Sequence, residues 1–142
     1  MGDILDYIPT LVTQGDDDLI CRLPSMGETK EAVWLLSPSS SASPDGFNGY
    51  FIREAWDITM VDVCKADQEF FVGVPIPKAF GSTLITLIPK TGSVSYFDRF
   101  RPICISTFFS KIISRLLVER MKKIVPKLIS HEQAAFQEGV GD

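Results

Sequence analysis

An apolar stripe with helical spacing runs through the C-terminal third of this chain. Between Thr107 and Ile124, apolar side chains recur every three or four residues, which predicts an amphipathic helix with one buried face. Pro126 predicts the end of that helix. Such a helix draws most of its stability from packing, so another element has to cover the stripe. The stripe consists of Phe108, Phe109, Ile112, Ile113, Leu116, Leu117, Met121 and Ile124.

A second stripe and a pair of strands supply the elements that could pack against it. Residues 48–71 have apolar side chains at helical spacing and predict another long amphipathic helix. Residues 83–89 are apolar and β-branched and predict a strand, and residues 99–105 predict its antiparallel return. Pro102 in the return strand predicts an edge position or a bulge, because proline lacks the N–H that a central strand needs. The expected fold class is α+β, with two long amphipathic helices and a β-hairpin.

Shorter segments make up the rest of the chain. Residues 26–36 predict a shorter helix, and residues 37–46 predict a loop rich in serine and proline. Residues 1–25 predict an N-terminal docking segment, because Pro9 interrupts their apolar residues. The aspartates Asp16-Asp17-Asp18 resemble the Gly-Asp-Asp turn that holds two metal ions in some polymerases. We interpret them as an acidic turn or a helix N-cap, since clustered aspartates favour both.

The composition excludes several classes of protein. A chain of 142 residues with 45% hydrophobic and 23% charged residues fits one domain with a packed core. No apolar run approaches the roughly 20 residues of a membrane span, and the first residues lack a secretory signal. We therefore expect an intracellular protein of the nucleus or cytoplasm, neither secreted nor in a membrane. Three scattered cysteines and the lone His131 match no disulfide framework or zinc site.

The charges of the chain are strongly segregated although the total is only −4. Residues 1–77 carry −9, residues 78–127 carry +8, and residues 128–142 carry −3. A basic segment inside an acidic chain predicts a surface that faces a polyanion such as RNA or DNA. The alternative is a solvated helix face whose charges balance the neighbouring acidic segment. Charge alone leaves both interpretations open.

Eight short motifs then occur in an order and at a spacing that resemble one family. The order resembles the N-terminal part of the reverse transcriptase domain of LINE-type (non-LTR) retrotransposons, in the form abundant in plant genomes. The resemblance covers essentially the whole chain but is weaker before residue 26. The motifs are Ser43-Pro44-Asp45-Gly46-Phe47, Trp56-Asp57-Ile58, Phe70-Phe71, Leu87-Ile88-Pro89-Lys90, Phe100-Arg101-Pro102-Ile103, Lys111-Ile112-Ile113, Pro126-Lys127-Leu128-Ile129-Ser130 and Gln133-Ala134-Ala135-Phe136.

The resemblance implies that residues 26–142 form a partial reverse transcriptase domain, namely the fingers and the start of the palm, incomplete as a domain. The sequence also departs from the family pattern. Arg99 occupies a position that is usually acidic, and Cys104 occupies one that is usually serine. Val140 follows Phe136-Gln137-Glu138-Gly139 where the family usually has arginine. These departures look like drift in a copy that is no longer under selection.

A candidate site follows from the same resemblance. The predicted hairpin resembles the fingertip that meets the triphosphate of the incoming nucleotide and the template strand. On that resemblance Lys90 and Arg101 are the phosphate-facing cations, with Arg99 beside them. Lys111 and Arg115 are candidate template contacts, with a solvated helix face as the alternative. The charged residues opposite the last stripe are Lys111, Arg115, Lys122 and Lys123, with Arg120 nearby.

The implied partners are an RNA or DNA template–primer, a nucleotide, and the missing palm segment or another chain. Polymerisation in this family needs two Mg²⁺ ions held by carboxylates of the palm, including a Tyr-x-Asp-Asp hairpin downstream of the Gln-x-x-Phe motif. None of the three tyrosines begins such a motif. We therefore expect no catalytic residue, no metal ligand and no cofactor bound by this chain alone.

The expected function is thus that of a truncated reverse transcriptase fragment, inactive by itself. Without a palm to cover them, some apolar side chains should be exposed to solvent. Two alternatives remain open at this point. One is a retained nucleic-acid-binding module that uses the basic residues 78–127, and the other is a helical protein-interaction module.

Overall fold

The computed structural model describes residues 10–39, 43–44, 46–92 and 96–129. Among these residues the backbone forms seven helices and one two-stranded antiparallel sheet. The predicted α+β class is confirmed, with α4 and α6 as the long helices and β1–β2 as the hairpin. The elements are α1 (Gln14–Cys21), α2 (Met26–Leu35), α3 (Gly49–Glu54), α4 (Trp56–Val72), α5 (Lys78–Gly81), β1 (Thr83–Pro89), β2 (Phe100–Ser106), α6 (Phe108–Met121) and α7 (Val125–Leu128).

Four helices begin at a side chain that caps free backbone N–H groups. Thr13, Ser25, Asn48 and Thr107 each accept a hydrogen bond through a side-chain oxygen from the backbone N–H three residues on, at 2.9–3.3 Å. Such a cap stabilises a helix by about 1 kcal/mol. In α1 the carboxylate of Asp16 also accepts from the N–H of Thr13 at 2.9 Å, which completes a capping box. The aspartates therefore belong to a helix N-terminus, as one of the two interpretations above predicts.

The segment 48–71, predicted as one helix, forms two helices with a break at Ala55 (φ −88°, ψ 8°). Contacts with α2 hold the chain on both sides of the break. The guanidinium of Arg53 donates to the carbonyl oxygen of Trp34 at 2.7 Å. Trp56 packs edge-on against the ring of Trp34, with centroids 5.4 Å apart. These tertiary contacts override the continuous helical pattern of the sequence.

The hydrophobic core lies where α2, α4 and α6 meet, and we call α1–α4, α6 and α7, with their connecting turns, the helical body. On the two predicted apolar stripes, Trp56 and Phe108 are buried, whereas Phe70 and Phe109 are half-buried. Met121 belongs to the predicted stripe but is exposed, because α6 ends there. The buried core residues are Ala32, Val33, Trp56, Phe108, Ile112 and Leu116.

An ion pair between Arg120 and Glu28 joins α6 to α2. Arg120 of α6 is 3% exposed, and its Nε donates to Oε1 of Glu28 at 2.8 Å. Its Nη1 donates to the carbonyl oxygens of Ile20 and Arg22, each at 2.6 Å. The guanidinium also lies 4.4 Å from the ring centroid of Phe71, a cation–π contact. The hydrogen bond from Arg120 holds the pKa of Glu28 below its usual range. This arginine therefore fixes the turn between α1 and α2 to α6.

The hairpin, in contrast, has little cover. Every residue of β1 is exposed, including Leu84 at 55% and Ile85 at 64%. The base of the hairpin is held by Thr107, whose hydroxyl donates to the carbonyl oxygen of Phe80 in α5. The sheet has two strands, so Pro102 occupies an edge strand, as predicted. Exposed apolar side chains, which the sequence predicts, lie on this ribbon and also on α4, where Ile58 is 84% and Val72 69% exposed.

Some predicted segments fall outside the described residues. Residues 1–9 of the docking segment and residues 130–142, which contain the last motif, are among them. The described part of the docking segment forms α1, which packs against α6. Across the described part of the chain, no helix combines the length and apolar character needed to cross a bilayer.

Candidate nucleic-acid interface

The predicted basic tip lies at the far end of the β1–β2 ribbon. The two strands pair along their whole length, starting from Thr83 opposite Ser106 at the base. Beyond the last pair, the N–H of Lys90 donates to the carbonyl oxygen of Arg99 at 2.9 Å and continues the ladder by one step. Because the ladder is unbroken, it determines the side on which each residue near the tip lies.

The register places two of the predicted site residues, Lys90 and Arg101, on one face of the ribbon, with Arg99 beside them. Ile88 pairs with Arg101, and Lys90 lies two residues beyond Ile88, opposite Arg99. Side chains alternate between the faces of a strand, and directly paired residues share a face. Lys90 and Arg101 therefore face the same side. Arg99 is the last residue of a short 3-10 helix (Phe97–Arg99) and lies beside Lys90, whose N–H donates to its carbonyl oxygen.

This face has little counter-charge of its own. Nζ of Lys90 donates to the backbone carbonyl oxygen of Asp98 at 2.8 Å, which leaves the charge of the lysine unbalanced. Nε of Arg99 lies 3.9 Å from Oδ2 of Asp98, and both side chains are largely exposed, so the attraction between them is weak. Arg101 is exposed and takes part in none of the ion pairs between described residues. The tip thus presents three cations against one carboxylate.

The other two predicted site residues lie on α6, near the base of the ribbon. Lys111 and Arg115 are one helical turn apart and share a helix face. Nζ of Lys111 lies 3.2 Å from the hydroxyl of Ser43, and Nη2 of Arg115 lies 2.8 Å from Oε1 of Glu119. A ribbon of this length spans about 24 Å, so the structure does not bring these residues together with the cations of the tip.

Much of the positive charge in residues 78–127 is balanced within the protein. Nζ of Lys127 lies 2.7 Å from Oδ1 of Asp16 in α1, and Nζ of Lys122 lies 3.2 Å from Oε1 of Glu119. The buried arginine of α6 is paired with α2 in the same way. The alternative of a helix face balanced by acidic neighbours therefore describes α6 and α7. The cations of the hairpin tip are not balanced in this way.

The sequence pattern predicts Arg120 near the polar face of α6. This predicted position is wrong, because the structure buries Arg120. The guanidinium is buried because it lies on the apolar stripe itself, three residues after Leu117 and four before Ile124. This position on the apolar stripe is the sequence signal that could have revealed the burial of Arg120. Its partner Glu28 is 92 residues away, so no local pattern identifies the pair.

The described residues do not fit the two metal ions of a polymerase. Oδ1 of Asp16 accepts from Lys127 at 2.7 Å, and Oδ2 accepts from the N–H and hydroxyl of Thr13 at 2.9 and 2.8 Å. The bonds from Lys127 and Thr13 lower the pKa of Asp16 to about 2. In residues 10–39, 43–44, 46–92 and 96–129, no three His, Cys, Asp or Glu side chains converge on one point. The aspartates of α1 act instead as capping and ion-pairing groups.

Comparison with known proteins gives one distant relationship to a mobile element. No protein-family model matches the chain. The chain is similar to the "Transposon TX1 uncharacterized 149 kDa protein" of Xenopus laevis, with 23% identity over 110 residues. The match covers 78% of this chain and 8% of that protein. The chain therefore spans less than a tenth of the length of this relative.

Proposed function

We propose that this chain is a fragment of the reverse transcriptase of a LINE-type retrotransposon, made of the fingers and the start of the palm. In this proposal the hairpin tip binds the phosphates of an RNA or DNA template–primer and of the incoming nucleotide. The order of the eight motifs supports the family, and the similarity to the TX1 transposon protein supports an origin in a transposon. The observation that carries the binding role is the exposed face shared by Lys90 and Arg101, with Arg99 beside them.

The chemistry of the tip suits phosphate. The guanidinium of Arg101 has a planar set of N–H donors that can bind two phosphate oxygens at once. The ammonium of Lys90 donates one hydrogen bond to the carbonyl of Asp98, which orients it and leaves two further donors. Because the tip is exposed, a phosphate can reach both groups without displacing any part of the core.

We also propose that the 142-residue polypeptide binds nucleic acid but does not extend a primer. Nucleotidyl transfer in this family uses carboxylates that hold two Mg²⁺ ions. The sequence contains no Tyr-x-Asp-Asp motif, and the aspartates of α1 are occupied by their own hydrogen bonds. Primer extension by the purified chain would contradict this part of the proposal.

Fluorescence anisotropy with a labelled primer–template tests the binding role. The double variant Lys90→Gln/Arg101→Gln should weaken binding by about tenfold and reduce the slope of log affinity against log salt by about 1–2, because two phosphate contacts are lost. The matched control Lys65→Gln/Lys123→Gln removes the same charge from exposed positions of the helical body. The control should change affinity by less than about twofold, since its cations lie away from the tip.

Two outcomes would contradict the binding role of the tip. One is wild-type affinity in the Lys90→Gln/Arg101→Gln variant, and the other is an equal loss in the control. A module that uses the whole basic segment predicts instead that Lys111→Gln/Arg115→Gln weakens binding as much as the tip variant does. The intramolecular partners of Lys111 and Arg115 argue against that module. A helical protein-interaction module predicts no salt-dependent binding at all.

A further inference from the structure

The outer edge of β1 has backbone groups without partners among the described residues. The hydrogen bond between Lys90 and Arg99 sets the phase of the ladder, in which bonded pairs alternate with non-bonded pairs. The next bonded pairs down the ribbon are Ile88 with Arg101 and Thr86 with Ile103. The N–H and C=O groups of Thr83, Ile85 and Leu87 therefore point away from β2. Exposed strand edges of this kind are templates for another strand.

The two edges of the ribbon differ in their capacity to accept a strand. Pro102 lies at an outward-facing position in the middle of β2, so the outer edge of β2 lacks its central donor. On β1 the only outward-facing proline is Pro89, at the end of the strand, and the outward positions before it keep their N–H groups. In addition, residues 83–88 carry no charge, whereas charged side chains usually protect such edges. Strand addition is therefore favoured at β1.

The sequence of β1 is complementary to itself around Thr86. When two copies pair antiparallel with Thr86 opposite Thr86, Ile85 lies opposite Leu87, and Leu84 lies opposite Ile88. Each apolar side chain then meets an apolar partner on the same face of the sheet. In this register the outward-facing residues of one β1 strand lie opposite the outward-facing residues of the other. The two strands can therefore form about six backbone hydrogen bonds.

Repulsion between the two basic hairpin tips favours antiparallel over parallel pairing of the two β1 strands. Lys90 lies four residues from Thr86, so an antiparallel pair places the two basic tips on opposite sides of the two-fold axis, about 27 Å apart. That separation exceeds the Debye length of about 8 Å at physiological salt, so the tips do not repel each other appreciably. A parallel pair would place the tips side by side.

We propose that the β1 edge binds a second copy of this chain, which forms a symmetric dimer with a four-stranded antiparallel sheet in the order β2–β1–β1–β2. The outer strands of that sheet are both β2, whose edge Pro102 obstructs, so the assembly closes at two copies instead of growing into a fibre. The basic tips remain exposed at the two ends of the sheet.

Light scattering coupled to size-exclusion chromatography tests this dimer across a dilution series. We expect the wild-type chain to reach twice its 15.8 kDa mass on concentration. Ile85→Lys places a charge at the β1 edge and should raise the dimer dissociation constant at least about tenfold. The matched control is Cys104→Lys, because Cys104 lies directly opposite Ile85, is equally outward-facing and is also exposed, but belongs to β2. The control should dimerise like the wild type. Circular dichroism would verify that both variants fold.

Disulfide cross-linking tests the register. With Cys21 and Cys104 replaced by serine, Thr86→Cys should form a cross-linked dimer on oxidation, because the two Cα atoms would be about 4.5 Å apart. Leu84→Cys should not, because its two copies would be about 14 Å apart in the antiparallel register. Cross-linking of Leu84→Cys at the rate of Thr86→Cys would overturn the register. A wild-type chain that stays monomeric throughout the series, or equal dimerisation of the two lysine variants, would overturn the proposal.

Discussion

The helical body and the hairpin both contain many branched aliphatic side chains, but among the described residues only the helical body buries any of them. Val33, Ile112 and Leu116 of the helical body are at most 2% exposed, whereas Ile85 of the hairpin is 64% exposed. An aliphatic side chain stabilises a fold only to the extent that it is removed from water. The buried aliphatic residues of the helical body therefore maintain the fold, whereas those of the hairpin remain in contact with solvent.

The charged residues of the two regions differ in the same way. Arg120 and Lys127 are bound to acidic side chains of the N-terminal helices, at 2.8 and 2.7 Å. The cations at the hairpin tip have only the exposed carboxylate of Asp98 near them. Two regions that are both basic in sequence thus differ: one balances the acidic helices, and the other leaves its cations exposed to solvent.

The first test of this contrast between the helical body and the hairpin is a substitution at Arg120, where we expect the largest change in the free energy of unfolding. Replacing it with alanine removes charge-assisted hydrogen bonds to Glu28 and to two backbone carbonyls and empties a buried site, and we expect the free energy of unfolding to fall by about 3–5 kcal/mol. Urea denaturation would measure the change. Lys123→Ala, at an exposed position on the same side of the protein, should change it by less than about 0.5 kcal/mol. Equal losses in the two variants would mean that the buried pair is no more important than a surface charge.

A second test in the helical body concerns pH. Asp67 of α4 is 0% exposed and its carboxyl group lies beside the hydroxyl of Thr29 in α2. Burial raises the pKa of Asp67 from 3.8 to about 7, and the nearby hydroxyl only partly opposes this shift. The folded chain therefore keeps a proton that the unfolded chain loses above about pH 4, so stability falls as pH rises from about 4 to 7. Between pH 5 and pH 8 this amounts to about 3 kcal/mol, at 1.36 kcal/mol for each pKa unit.

The variant Asp67→Asn should lose that pH dependence, because an amide carries no proton that titrates in this range. Urea denaturation at pH 5 and pH 8 would compare it with the wild type and with Asp62→Asn, which removes an exposed carboxylate from the same helix. We expect Asp62→Asn to retain the wild-type pH dependence. If Asp67→Asn retains it as well, the burial of Asp67 does not control the stability of the helical body.

How much of this structure the sequence predicts depends on whether the signal is local. The stripes of α4 and α6 and the alternation of the hairpin are local patterns, so the two long helices and the hairpin follow from them. The break at Ala55 and the burial of Arg120 and Asp67 depend on contacts with α2, which is distant in sequence. No periodicity contains that information.

The same distinction between local and long-range signals applies to the candidate site. That Lys90 and Arg101 lie near one hairpin tip follows from the positions of the two predicted strands. That they share a face depends on the register, which the sequence alone did not provide. The ion pair of Arg115 with Glu119 spans four residues of one helix, so the spacing of opposite charges could have indicated it.

The smallest expected effects come from a matched pair of isoleucines, one in each region. Ile112→Ala removes a side chain that is 2% exposed and should lower the free energy of unfolding by about 2 kcal/mol or more, because it leaves a cavity in the core. Ile103→Ala removes the same atoms from β2, where the residue is 44% exposed, and should cost less than about 1 kcal/mol. Ile103 suits this test because β2 lies outside the proposed dimer edge. Urea denaturation of both variants gives the ratio of the two costs. A cost at Ile103 as large as that at Ile112 would mean that the hairpin is a structural part of the core, and the contrast between the two regions would then be wrong.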